Sequence, residues 1–162
     1  MRSILWNIGL AVGLVAVAAV CWPRRELTVE RINIDDRDGT RRLVITNRDR
    51  FPDLVIDGRT MPRSARTVQP AGIVLYDEHG NEAGGYGTTN TADGTAQSMM
   101  ILDHGRSEAI GIVQRHAGRD ASAQLVINDR EGRPRIRLQV DAEDRPSIAI
   151  LDEAGREVSR VP

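Results

Sequence analysis

An antiparallel all-β domain behind one apolar N-terminal segment is the fold class this sequence predicts. Three observations carry it. From Leu27 onward the apolar residues form short runs with no helical period. Turn signals separate those runs at close, regular spacing. Within the runs, apolar and polar residues alternate, as in Arg135-Ile136-Arg137-Leu138-Gln139-Val140.

The first element stands apart from the rest. Residues 4–22, ILWNIGLAVGLVAVAAVCW, form a nineteen-residue apolar run in which Asn7 is the only polar residue. As a helix it would rise roughly 28 Å, close to the thickness of a bilayer core. Trp6 and Trp22 stand at its two ends, where interfacial aromatics belong. Pro23 follows and ends the helix. Residues 1–23 are therefore read as a transmembrane anchor or uncleaved signal, and 24–162 as a single β-domain. The run is longer than a usual signal-peptide core, and Val20 before Cys21 is a poor lipoprotein cleavage context. A short N-terminus before a long apolar segment places the domain outside the cytoplasm, in the periplasm. The arginines Arg24, Arg25 and Arg31 pull the other way.

In the first strand region Leu27 and Val29 share one phase and Ile32 and Ile34 the other, which predicts a bulge near Glu30 and Arg31. Then comes the first of four turns of one type: Asp36-Arg37-Asp38-Gly39, Asp77-Glu78-His79-Gly80, Asp129-Arg130-Glu131-Gly132 and Asp152-Glu153-Ala154-Gly155. Asp in first place accepts backbone N–H bonds from two residues on, and Gly in fourth place takes the positive φ of a bulged hairpin. An aliphatic residue precedes each Asp by two: Ile34, Leu75, Ile127 and Ile150. Asp141-Ala142-Glu143-Asp144 is a degenerate copy. Leu43 and Ile45, then Ala123, Leu125 and Ile127, then Ile148 and Ile150 repeat the alternation. One aliphatic, buried face and one wet face with solvated arginines is the expectation.

Two stretches depart from this pattern. Residues 47–72 carry three prolines and many arginines and read as short edge strands with a surface loop. Residues 84–98, GGYGTTNTADGTAQS, are rich in glycine and threonine and read as a long flexible hairpin loop. Its candidate contact residues are Tyr86, Thr88, Thr89 and Asn90, with Tyr86 the natural anchor. In all, ten to twelve antiparallel strands in meander order are expected to close into a barrel, with a two-sheet sandwich or a propeller-like arrangement as alternatives.

Composition narrows the chemistry. All 22 basic residues are arginine, against 23 acids, for a net charge of -1. With acids interspersed there is no basic field for nucleic acid. One cysteine, Cys21, excludes an intramolecular disulfide. The three histidines, His79, His104 and His116, show no ligand spacing. A metal site from Asp77, His79, Asp103 and His104 would need two hairpin tips to converge. Asp35-Asp36-Arg37-Asp38-Gly39 has the opening of a calcium loop but lacks its distal Glu. Ser98 or Ser107 with His104 and Asp103 would be turn neighbours, poorly placed to act as a triad. No catalytic residue, cofactor or metal is assigned.

The stretch LTVERINIDDRDGTRRLVITN, with GIVLYDEHGNEAGG and QLVINDR, resembles a group of uncharacterised bacterial proteins with an N-terminal hydrophobic segment and a β-rich domain carrying D-x-x-G hairpin turns. The tail PRIRLQVDAEDRPSIAILDEAGREV resembles the D-x-x-G-x-x-R hairpin repeats of other such proteins. The resemblance implies an anchored all-β domain and no particular chemistry. The functional expectation is a membrane-anchored, non-enzymatic binding or structural module of the bacterial cell envelope, with a protein partner as well as the membrane. The alternatives are a carrier of a small apolar ligand in a β-barrel and an enzyme of unassigned reaction.

Overall fold

The structure, a computed structural model, describes residues 26–66, 68–117 and 120–162. The anchor expected at residues 4–22 lies outside the described residues. Among the described residues no helix is long and apolar enough to cross a membrane.

Twelve strands follow one another: β1 (Arg31–Asp35), β2 (Arg41–Thr46), β3 (Leu54–Ile56), β4 (Arg59–Met61), β5 (Ala71–Tyr76), β6 (Glu82–Asn90), β7 (Ala96–His104), β8 (Ser107–Ala117), β9 (Asp120–Asn128), β10 (Pro134–Val140), β11 (Pro146–Leu151) and β12 (Glu157–Val161). Ten of them form one antiparallel sheet in the order β1-β2-β5-β6-β7-β8-β9-β10-β11-β12. The meander is as expected, but the barrel is not formed: β1 and β12 remain the two edges. Closure requires the first and last strands to pair with matched tilt and stagger. Here β12 is a five-residue strand, exposed throughout, and its Glu157 and Arg160 give that edge the charge that discourages strand addition.

The turns explain why the meander forms. In each Asp-x-x-Gly turn the glycine N–H donates to the aspartate carbonyl, and the aspartate N–H donates to the residue after the glycine. Gly39, Gly80, Gly132 and Gly155 all have φ between 76° and 88°, and the degenerate copy places Asp144 at φ 59° in the same role. In four of these turns, those of Asp77, Asp129, Asp141 and Asp152, the aspartate Oδ1 takes two N–H donors, as Asp152 does from Ala154 and Arg156, both at 2.9 Å. The first turn differs from expectation, since Asp38 rather than Asp36 accepts there, from the Thr40 N–H.

Residues 84–98 correct the sequence reading. They are not a flexible loop but most of β6 and the start of β7, near the middle of the sheet. Only Thr91-Ala92-Asp93-Gly94 turns, as a further copy of the same hairpin with Thr91 in the aspartate position. Glycine is disfavoured in strands because it costs entropy and packs nothing, which is why this segment reads as a loop. Its use here is close approach: the Pro70 ring lies where a side chain at Gly87 would sit, 2.6 Å from an ideal Cβ.

The bulge expected near Glu30 and Arg31 is also displaced. Leu27 and Val29 precede β1 and belong to no strand, and the ladder shifts instead between Ile34 and Asp35.

Residues 47–70 leave β2 and return to β5 as a flap containing the β3–β4 hairpin. Its Asp57-Gly58 turn has positive φ at both residues, 50° and 70°, the two-residue geometry that matches strand twist. The flap runs the length of the sheet. Gly58 N–H donates to Asn81 Oδ1 at 2.7 Å, and Asp57 pairs with Arg106, both beside turns at the far end from where the flap starts. Beneath it lies the one apolar cluster of buried residues among those described: Val44, Phe51, Val74 and Tyr76, with Val55 packed on it.

Candidate functional site

Two places on the sheet combine unusual chemistry with a defined geometry, and they lie on opposite faces. The first is under the flap. Arg66 reaches in from the flap's second half and donates Nη1 to Glu82 Oε1 at 2.7 Å, with Nη2 pairing to the other carboxylate oxygen. The same guanidinium donates to the carbonyls of Pro52 (3.3 Å) and Asp53 (3.2 Å) and lies over the Phe51 ring, 5.0 Å from its centre. Its side chain is 9% exposed and that of Glu82 15%. This bidentate pairing is the strong form of the interaction. All three guanidinium nitrogens are engaged within the protein, four of the five N–H donors in all, so Arg66 closes the flap onto β6.

Beside the clamp is a pocket of about 170 Å³ lined by Phe51, Arg66, Val68, Met99, Ile101 and Asp103, among others. Burial, and then the charges of Glu82 and Glu108, push the Asp103 carboxyl up to about 6. Burial, reinforced by Glu82, also raises the Tyr76 hydroxyl. The turn carboxylates behave in the opposite way. Backbone N–H bonds from Arg145 and Arg156 hold Asp141 and Asp152 below the usual range. The Thr91 hydroxyl, then Thr95, lowers Asp93 to about 2.

The second place is the sheet face opposite the flap. Register assigns it strand by strand. Ile45 pairs with Ile73, Ile73 with Tyr86, Tyr86 with Met100 and Met100 with Ile112. Ile112 then pairs with Leu125, Leu125 with Leu138 and Leu138 with Ile148. The apolar residues are therefore continuous across the sheet, and they are uncovered. Ile148 is 45% exposed, Ile112 43% and Ile150 41%. On β11 the intervening residues are the buried ones, with Ala149 at 3% and Ser147 at 6%. The predicted alternation is present, but its burial is inverted: the aliphatic side is open to solvent. Toward the β12 edge this face is concave, with a trough of about 480 Å³ lined chiefly by Ile112, Leu125, Leu138, Val140, Ile148 and Pro162.

The candidate contact residues fall on both sides. Tyr86, Thr88 and Asn90 share the apolar face, with Tyr86 47% exposed. Thr89 lies on the flap side opposite Gln97. Thr88, Thr89 and Asn90 together with Arg48, Gln97 and Ser98 border a shallow hollow of about 350 Å³ at one end of the sheet. Asp77 and His79 occupy one turn and Asp103 and His104 the end of β7. Among the described residues no three His, Cys, Asp or Glu side chains converge as a metal site would require.

The sequence reading missed the clamp and one recurring pair. The Asp-Gly between Leu-Val-Ile and Arg-Thr-Met was a hairpin signal for the flap. The arginine directly after three of the turns is bonded rather than merely solvated. Nε of Arg133, Arg145 and Arg156 donates to Asp129, Asp141 and Asp152 at 2.9, 2.9 and 2.8 Å. No signal in the chain links Arg66 to Glu82, sixteen residues on.

No protein-family model matches the sequence, and no curated protein matches it significantly.

Proposed function

We propose that this chain is a non-enzymatic binding or structural module of the bacterial cell envelope, tethered by residues 4–22 and working through the uncovered apolar face of its sheet. The observation that carries this reading is the continuity of that face: aliphatic residues run in register across the sheet and stay open to solvent. Exposed apolar patches of this extent mark interaction surfaces. The clamp under the flap supports the same division of labour, because its polar groups satisfy one another and stiffen the opposite side.

A carrier holding an apolar molecule in a barrel lumen loses its premise, because the sheet is open. The test uses the whole chain in its membrane. A photo-crosslinking residue at Leu138, on the apolar face, is expected to form adducts, and one at Arg137, on the other face, to form far fewer. The chain is also expected to resist carbonate extraction. Equal adduct yields at the two positions would refute the working face, and release by carbonate would refute the tether.

A further inference from the structure

We infer that the apolar face is covered by the same face of a second copy of this chain, giving a two-fold symmetric β-sandwich. This rests on the reading of that face as the working surface and names its occupant.

The first argument is architectural. A sheet with an apolar face is stable only when another layer covers it. Here the flap covers part of one face and nothing described covers the other. The cluster of buried apolar residues beneath the flap is Val44, Phe51, Val74 and Tyr76, a small core for a sheet of ten strands. The alternation in β8 to β11 specifies a buried side that the isolated chain leaves open.

Area is the second argument. Ten strands spaced about 4.8 Å apart, with about six residues each at about 3.3 Å, present on the order of 900 Å² of face in projection. A standard protein interface buries about 800 Å² per partner. The nineteen apolar residues 4–22, laid there as a helix about 28 Å long and about 10 Å wide, would cover roughly a third of that.

Charge is the third. At the in-register positions of this face there is no Asp, Glu or Arg from Ile32 on β1 to Val161 on β12. A face with His116 at one end of β8 and no carboxylate or guanidinium carries little repulsion against its own copy, and an isologous pair requires only self-complementarity. An anionic bilayer surface fits less well, because the same positions offer it no arginine. Two such sheets would stack about 10 Å apart with strands within about 30° of one another. Met100 and Ile112, paired across β7 and β8 at the middle of the sheet, would then sit at the centre of the contact.

The experiment places a single cysteine at Ile112 in the full-length, membrane-bound chain with Cys21→Ser, and treats it with a short bis-maleimide. Arg137→Cys on the opposite face is the control. A covalent dimer from Ile112→Cys is expected, with maleimide labelling there on the order of tenfold slower than at Arg137→Cys. Adding Met100→Glu is expected to abolish the dimer and restore fast labelling. An Ile112→Cys that labels slowly without forming the dimer would mean that another partner covers the face: the dimer would be wrong and the working face right. Fast labelling without a dimer would overturn both.

Discussion

The two halves of the sheet use the same strand pattern and are stabilised differently. In the half containing β1, β2, β5, β6 and β7, a flap crosses one face and buries Val44 to 0% exposure, and a nearly buried ion pair fastens it. In the half containing β9 to β12 no described segment crosses the sheet. There the arginine-bearing face shields small residues such as Ala149, and the turns hold each hairpin locally. The first half depends on the long-range contact with the flap, and the second mainly on turn chemistry within five residues, with Asn128 and Ser107 donating across β8 and β9 to the carbonyls of Glu108 and Arg130. A perturbation of equal size in the two halves should therefore have unequal consequences.

The largest effect is expected at the clamp. Arg66→Ala leaves Glu82 desolvated without its partner, and such a break costs about 3–5 kcal/mol. A denaturant titration should show this loss together with protease sensitivity in residues 47–70. A loss under about 1 kcal/mol would mean that the flap is held by its apolar contacts alone, which would erase the contrast between the halves.

Turn chemistry comes next. Gly132 has φ 76°, and a Cβ there would lie 3.1 Å from the Ser107 Cβ. Gly132→Val is expected to cost about 1–3 kcal/mol. The complementary change Asp144→Gly relieves a non-glycine residue at φ 59° and is expected to raise the melting temperature slightly.

Asp103 sharpens the comparison through pH. Its folded-state value is raised from 3.8 to about 6, so the folded state holds a proton that the unfolded state has released. Stability should fall as pH rises from about 4 to about 6. Asp103→Asn is expected to flatten that fall and to stabilise the protein at pH 7 by about 1–2 kcal/mol, after allowance for its partial exposure. The turn aspartates have lowered values, so their contribution is present above 3.8 and is lost below it. Both trends together place the stability maximum near pH 4, which thermal melts across pH 3–8 would show. A flat profile in the unmodified protein would mean that Asp103 is better solvated than its position under the flap implies.

The smallest effect is expected at Arg137, whose stem lies beside Ala149 on the C-terminal half. Arg137→Ala should cost about 0.5 kcal/mol through lost cover of that alanine. A loss several times larger would show that this half, too, depends on a long-range contact.

What the sequence determined by itself was local. Strand parity has a period of two, so Ile136, Leu138 and Val140 had to share a side, and Ile34, Leu75, Ile127 and Ile150 all fall on that side. The turns were legible because aspartate and glycine meet demands confined to five residues. Glycine in β6 misled because its use, room for Pro70 on Gly87, depends on a segment far along the chain. Alternation tells which residues share a face; which face is covered depends on what packs there. The flap side is buried because residues 47–70 return across it and Arg66 meets Glu82, and no local pattern encodes that meeting. Closure depends likewise on whether β1 and β12 reach each other with matched tilt and stagger, a property of accumulated twist over ten strands. Such non-local geometry, set by packing rather than by residue order, is what the tertiary structure alone decided.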